Sequence, residues 1–319
     1  MRIFLVFLLF LTGTGSVNAQ ITGAGFQPSD VILELQPTHP GPLEYYTVNL
    51  NDYSSSFSGS EINWFINDQV VGDAFNRRSI NLATRENGSK DVIKAVLKNA
   101  DGALRTVTAV VQPVYLDIII EPQTHVPDFY AGRALPSIDS SVNLTALVAG
   151  TNLRATDYIY TWRVNNRVLE GGPLRGRNEI SFILPQDSVS VLSLTVSRTD
   201  GTIVAKRAIG ITAVTPKLVF YEVNTLYGVE SRAITESFAL IGNSATLRAE
   251  PYFLSSSIFN NPNIINWSVD GEDIGTPSSN PYDITLQKTG FPGTTDVGFH
   301  VRSTDLLLQG ARSNISVSI

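Results

Sequence analysis

Cysteine is absent from all 319 residues. No disulfide can staple the fold, and neither a thiol nucleophile nor a cysteine-ligated metal site can exist. Histidine is nearly as scarce, at His39, His125 and His300. There is no His-Glu-x-x-His pair, no Gly-x-Ser-x-Gly elbow, and no glycine loop of the phosphate- or dinucleotide-binding kind. Charged residues make up only 16% of the chain and the net charge is −6, so nothing attracts nucleic acid or an anionic membrane. After residue 20 no apolar run is long enough to span a bilayer. Carboxylates are scattered as on any soluble surface. These absences speak against catalysis and leave packing and contact as the chemistry to look for: no catalytic, cofactor-binding or metal-ligating residue is expected.

The N-terminus has the pattern of an export signal. Arg2 supplies a positive end, Ile3 to Leu11 is apolar, and Ser16-Val17-Asn18-Ala19 places small residues before Gln20. A signal peptide is expected at 1–19, with an uncleaved anchor as the alternative. No cysteine follows the cleavage site, so lipid attachment there is excluded. An exported chain without disulfides forgoes roughly 2–4 kcal/mol per domain that an inter-sheet bridge typically adds. Its hydrophobic content of 43% must therefore hold it together by packing.

What is present is a repeat marked by all three tryptophans. Ile62-Asn63-Trp64-Phe65-Ile66-Asn67-Asp68, Tyr160-Thr161-Trp162-Arg163-Val164-Asn165-Asn166 and Ile265-Asn266-Trp267-Ser268-Val269-Asp270-Gly271 lie 98 and 105 residues apart. Apolar residues alternate with polar ones around each indole, so each phrase is expected to be a strand with its tryptophan in the core. The Asn, Asp and Gly that follow tolerate positive φ, so each strand should fold back at once. The same residues could suggest calcium, but they recur where a turn must be.

A second landmark follows each tryptophan by 37 or 38 residues: Asp101-Gly102, Asp200-Gly201 and Asp305-Leu306. Before each runs an alternating strand: Ile93, Ala95 and Leu97; Leu192, Leu194 and Val196; Val297, Phe299 and Val301. The intervening Ser193, Thr195, Gly298 and His300 are expected to face water. A last strand follows each landmark, and each copy opens alike, with Val31 to Glu34, Ile118 to Glu121 and Leu218 to Glu222. The second and third copies share an Arg-Ala-Leu/Ile step (Arg133 to Leu135, Arg232 to Ile234) in a longer first connection. Short strands with turn residues between them and no helical periodicity give an all-β fold class of three antiparallel β-sandwiches. The expected domains are 20–113, 114–214 and 215–319. The joints Gln112-Pro113-Val114 and Val214-Thr215-Pro216 are short and carry proline, which suits a semi-rigid rod.

The phrase Tyr160 to Asn166 resembles the third strand of bacterial immunoglobulin-like domains, including the polycystic-kidney-disease type, and Leu192 to Gly201 resembles their last hairpin. The paired cysteines of antibody-type domains and the Gly-Asp-Gly turn of the polycystic-kidney-disease type are missing. The resemblance covers residues 30 to 319 and implies an exported spacer or adhesion role, an analogy rather than a deduction.

The structural core is therefore assigned to Trp64, Trp162 and Trp267. The candidate contact loop is the third copy's irregular stretch with Tyr252, Phe253 and Phe259, the largest and most aromatic of its kind. His39 and His125 occupy related phrases and are expected to shape loops. Four N-glycan acceptor patterns, beginning at Asn87, Asn143, Asn266 and Asn314, are taken as coincidental. The leading expectation is a non-enzymatic secreted or cell-surface protein with an unknown protein or glycan partner, no cofactor, no nucleic acid, and membrane contact only through an uncleaved signal. One alternative is a pilus or envelope component pairing through the edge of its last strand, Asn314 to Ile319. The other is a carbohydrate-binding module using the Tyr252, Phe253 and Phe259 loop.

Overall fold

The computed structural model describes residues 31–53, 56–150, 153–169, 171–288 and 292–319. The expected signal peptide lies outside them. Alternating burial builds the first pair of sheets from β1 (Val31–Gln36), β2 (Tyr45–Asp52), β3 (Glu61–Ile66), β4 (Gln69–Val70), β5 (Ser79–Ala83), β6 (Asp91–Lys98) and β7 (Leu104–Val111). One sheet runs β1-β2-β5 and the other β4-β3-β6-β7. Val48, Leu50, Ile62, Trp64, Ile93, Ala95 and Leu97 fill the space between them. Along β6 every second residue is buried, because one face of the strand lies on the core and the other meets water.

The second pair repeats this plan with β8 (Tyr115–Pro122), β9 (Ser141–Ala149), β10 (Ile159–Val164), β11 (Arg167–Val168), β12 (Leu174–Arg175), β13 (Glu179–Ile183), β14 (Val189–Ser197) and β15 (Ile203–Thr212). Its sheets are β13-β9-β8 and β11-β10-β14-β15, with β12 also on β10. The third uses β16 (Lys217–Asn224), β17 (Gly228–Ile234), β18 (Ser237–Ala239), β19 (Ser244–Tyr252), β20 (Ile264–Val269), β21 (Glu272–Gly275), β22 (Asp283–Gln287), β23 (Thr294–Arg302) and β24 (Gly310–Ser318). Its sheets are β17-β16-β19-β22 and β18-β24-β23-β20-β21. A one-turn helix α1 (Ser256–Asn260) interrupts the connection after β19. The fold is all-β, made of immunoglobulin-like sandwiches.

Each tryptophan sits between its two sheets and is buried. Each indole N–H is also spent in the same way, donating to a carbonyl 13 to 15 residues downstream: Arg77 at 2.8 Å, Arg177 at 3.2 Å and Pro281 at 3.0 Å. A buried donor needs such an acceptor. The three hairpins after the tryptophans close with two residues, both at positive φ: Asn67 and Asp68, Asn165 and Asn166, Asp270 and Gly271. That backbone matches the right-handed twist of the flanking strands.

Two sequence expectations are corrected. Gly298 does not face water: it is buried, and a Cβ there would come within 2.6 Å of the Ser268 hydroxyl, so the bare backbone lets β20 and β23 approach. The outer edge of the last strand is not open along Ser316 to Ser318, because β18 pairs there in parallel. The longer first connection of the third copy supplies that covering strand.

Candidate functional site: the joint between the second and third sheet pairs

The densest polar and aromatic cluster lies where the connection after β8 reaches the third sheet pair. Residues 123–140 cross the joint before β9 begins. Thr124 bridges Ser255 in antiparallel fashion, and three backbone bonds extend the contact. His125 N–H donates to Leu254 (2.7 Å), Phe253 N–H donates to His125 (2.7 Å), and Ser256 N–H donates to Gln123 (3.0 Å). A short stretch of ladder thus joins the two sheet pairs.

Side chains lock onto it. The His125 ring lies flat on Phe259, with centroids 3.5 Å apart and planes 7° from parallel. Its Nε2 meets Glu250 Oε2 at 3.0 Å, while Arg248 holds Oε1 at 3.4 Å, so both carboxylate oxygens are engaged. Arg248 in turn grips Asp283 with two nitrogens. Phe259 stacks on Tyr282, whose hydroxyl donates to the Phe259 carbonyl at 2.8 Å. Burial, then the nearby Glu250 charge, holds the Tyr282 hydroxyl well above the usual tyrosine range.

Beside this pair lies an apolar patch of Tyr221, Tyr252 and Phe253 with Val126, Phe129, Tyr130, Leu135 and Val214. Phe129 packs edge-on against Tyr221 at 5.0 Å, and Tyr130 against Tyr252 at 5.3 Å. The Tyr221 and Tyr252 hydroxyls meet at 2.5 Å. Burial first, then that contact, raises the Tyr252 hydroxyl far above its ordinary value. On the opposite flank Gln309 is fully buried. Its amide donates to Ser137 Oγ (2.9 Å) and to the Ile138 carbonyl, and its oxygen accepts from Ser255 N–H (2.8 Å).

The aromatic loop of the third copy therefore meets the chain itself. Tyr252 is 5% exposed and Phe253 6%, covered by residues of the second sheet pair rather than offered outward. Phe259 is covered by His125 on one side and Tyr282 on the other. Nothing is left in a row on that loop for a sugar ring to stack on. His125 is more than a loop former, since its ring and backbone both cross the joint. His39 is different: burial and then Lys206 lower its pKa, and its Nδ1 has no hydrogen-bonding partner among the described residues. His300 is partly buried on β23, its pKa lowered by burial and by Arg302 and Arg312. Of the glycan acceptor asparagines, Asn143, Asn266 and Asn314 lie within strands, and Asn87 accepts from Tyr115 N–H.

Phe129, Tyr130 and Gln309 are the residues that sequence reasoning missed. An adjacent aromatic pair in the longest connection of the middle copy was the available signal for the first two. Gln309 gave none. In this cluster the polar groups that cross the joint hold one another. Among the described residues no three His, Cys, Asp or Glu side chains gather to hold a metal ion, and no helix is long and apolar enough to cross a membrane.

No family model matches the chain, and no curated protein matches it. Solved structures that match the chain include three N-terminal domains of the bacteriophage RB49 Highly Immunogenic Outer Capsid protein, at 13% identity and TM-score 0.25, covering 90% of this chain and 97% of that one. Fibronectin(III)-like modules of Clostridium thermocellum CbhA match at 11% identity and TM-score 0.26, over 57% of this chain and 94% of theirs. Bacteroides ovatus SGBP-B of a mixed-linkage glucan utilization locus, in complex with a heptasaccharide, matches at 11% and 0.24, over 88% and 64%. At such scores none of these descriptions transfers to this chain.

Proposed function

We propose that this chain is exported through a signal peptide at 1–19. It acts outside the cell or at its surface as a non-enzymatic structural or adhesion protein of three immunoglobulin-like domains, 20–113, 114–214 and 215–319. The observation that carries this reading is the second joint. The side-chain chemistry gathered there fixes one sandwich against the next, with His125, Glu250, Gln309 and Ser137 engaged with one another or with backbone groups across the joint. A chain that places buried charge and aromatic rings at the joint of its second and third sandwiches is suited to hold those two, and a surface they carry, at a set angle. The partner it would present itself to is a protein or a glycan.

Fractionation of the native cells, with crosslinking and mass spectrometry, tests this. Recovery in the envelope or medium, crosslinked to a surface component, is the expected result. Recovery in the cytoplasm would overturn the exported role. A purified chain turning over a glycan or peptide substrate would overturn the non-enzymatic one.

A further inference from the structure

The joint has a donor side and an acceptor side, and the repeat gives each a counterpart: the acceptor in register, the donor in the connection after the opening strand. The acceptor is the end of the second strand: Tyr252, beside Tyr221 on the strand paired with it. In the first sheet pair Val31 faces Asp52, as Leu218 faces Pro251 in the third. Buried Val48 and Leu50 correspond to Leu247 and Ala249. On this register Tyr53 occupies the place of Tyr252, and Glu34 that of Tyr221. The contact between them is reproduced too: the Tyr53 hydroxyl donates to Glu34 at 3.1 Å where Tyr252 meets Tyr221. Yet Tyr53 is 69% exposed.

The donor is the connection after a copy's opening strand, where Phe129 and Tyr130 precede the step Arg133-Ala134-Leu135. In the third copy the same stretch carries Leu226 and Tyr227 ahead of Arg232-Ala233-Ile234. Asn224 accepts from both backbone N–H groups and shapes the turn between β16 and β17 that presents them. Leu226 is 84% and Tyr227 87% exposed, and Ile241, just before β19 at the same end, is 95% exposed. Single bare apolar residues are ordinary, but the turn and the start of β19 bring these three to one end of the third sheet pair, the kind of grouping that marks a contact site.

We infer that the Leu226, Tyr227 and Ile241 end of one molecule docks on the Tyr53 end of a second copy, continuing outside the chain the contact that joins its second and third sheet pairs. The two ends are different surfaces, so the contact is head-to-tail and can extend into a linear array. This goes beyond the surface role proposed above and does not depend on it: monomers recovered from the envelope would overturn the array and leave that role standing.

Sedimentation velocity on the full chain over a concentration series tests it. The average mass should rise with concentration. Tyr53→Ser, or the combined Leu226→Ser, Tyr227→Ser and Ile241→Ser change, should each weaken association about tenfold or more. All four side chains are exposed, so unchanged thermal melting will show that the variants still fold. Mixing the two variants is the sharper test: one retains only a donor end and the other only an acceptor end, so the mixture should stop at dimers. A wild-type chain that stays monomeric up to its solubility limit would overturn the inference. So would association that survives both changes, or loss in both that mixing does not restore.

Discussion

At the first joint the sheet pairs meet through a turn. Gly88 N–H donates to the Pro113 carbonyl at 2.9 Å, Tyr115 N–H donates to Asn87 at 3.0 Å, and Gly150 lies beneath Asn87. At the second joint a connection of the middle sheet pair adds a bridge, a buried amide, a histidine–carboxylate contact and a nest of rings. Both joints contain a short proline-bearing linker, so the linker does not make the difference. The connection after the opening strand does: residues 37–44 in the first copy, 123–140 in the second. The acceptor side differs as well, because Ala149 stands where the third pair has Tyr252. The two joints thus differ in one loop and in the residue it lands on.

The largest expected effect breaks the second joint. Tyr252→Ala removes a buried ring shared across it and should cost about 3–5 kcal/mol. By calorimetry the second and third sheet pairs should melt as one transition in the native chain and as two in the variant. An endotherm that keeps its shape would show that the rings do not couple them. Gln309→Ala should cost about 1–3 kcal/mol in chemical denaturation, because it strands the Ser255 N–H in the interior. Gly88→Ala acts on the other joint. Gly88 has φ +78°, and a Cβ there would approach the Gly150 carbonyl to 2.7 Å. The left-handed backbone alone costs a non-glycine residue about 1–2 kcal/mol. Fluorophore pairs across each joint should report loosening at the first and none at the second.

The smallest effect separates the joints by pH. The turn bearing Asn87 and Gly88 is tied by Arg85 to Asp91. Burial pushes the Asp91 carboxyl up, but hydrogen bonds from Arg85 and Asn67 and the Arg85 charge outweigh it and hold it below its ordinary value. A depressed carboxyl contributes stability above its unfolded value, and this is lost as pH falls through the folded one. The first joint should therefore loosen in acid, below about pH 4. The raised Tyr252 hydroxyl works in the opposite sense. Its contribution is complete below the ordinary tyrosine value of about 10 and is lost as pH rises through the folded value. The same fluorophore pairs should show acid opening the first joint and alkali the second; the reverse order would break the comparison.

The strands and hairpins were legible in the sequence because their causes are local. Alternation within six or eight residues tells which side chains face inward, and Asn165-Asn166 can close a turn whatever lies elsewhere. Tyr252, Phe253 and Phe259 stood out for the same reason, as an aromatic loop among polar ones. What covers them was not legible. Phe129 and Tyr130 lie more than a hundred residues earlier, and only the tertiary arrangement brings the rings together. Gly298 misled because alternation assigns a side to every residue, while a residue without a side chain can lie under a neighbour. His125 shared a phrase with His39 and so hid its partner, Glu250, which belongs to another copy.

The loop that fixes the second joint is not part of the covalent path between the sandwiches. The pull along the backbone runs through Val214-Thr215-Pro216, while the grip of Gln123 to Leu135 on the third sheet pair lies beside that line. Tension applied along the chain would therefore reach the two joints unequally. The first would straighten at low load, and the second would resist as a brace until its rings and its buried amide let go together. The chain would behave as a lever with one compliant elbow and one that yields at a threshold.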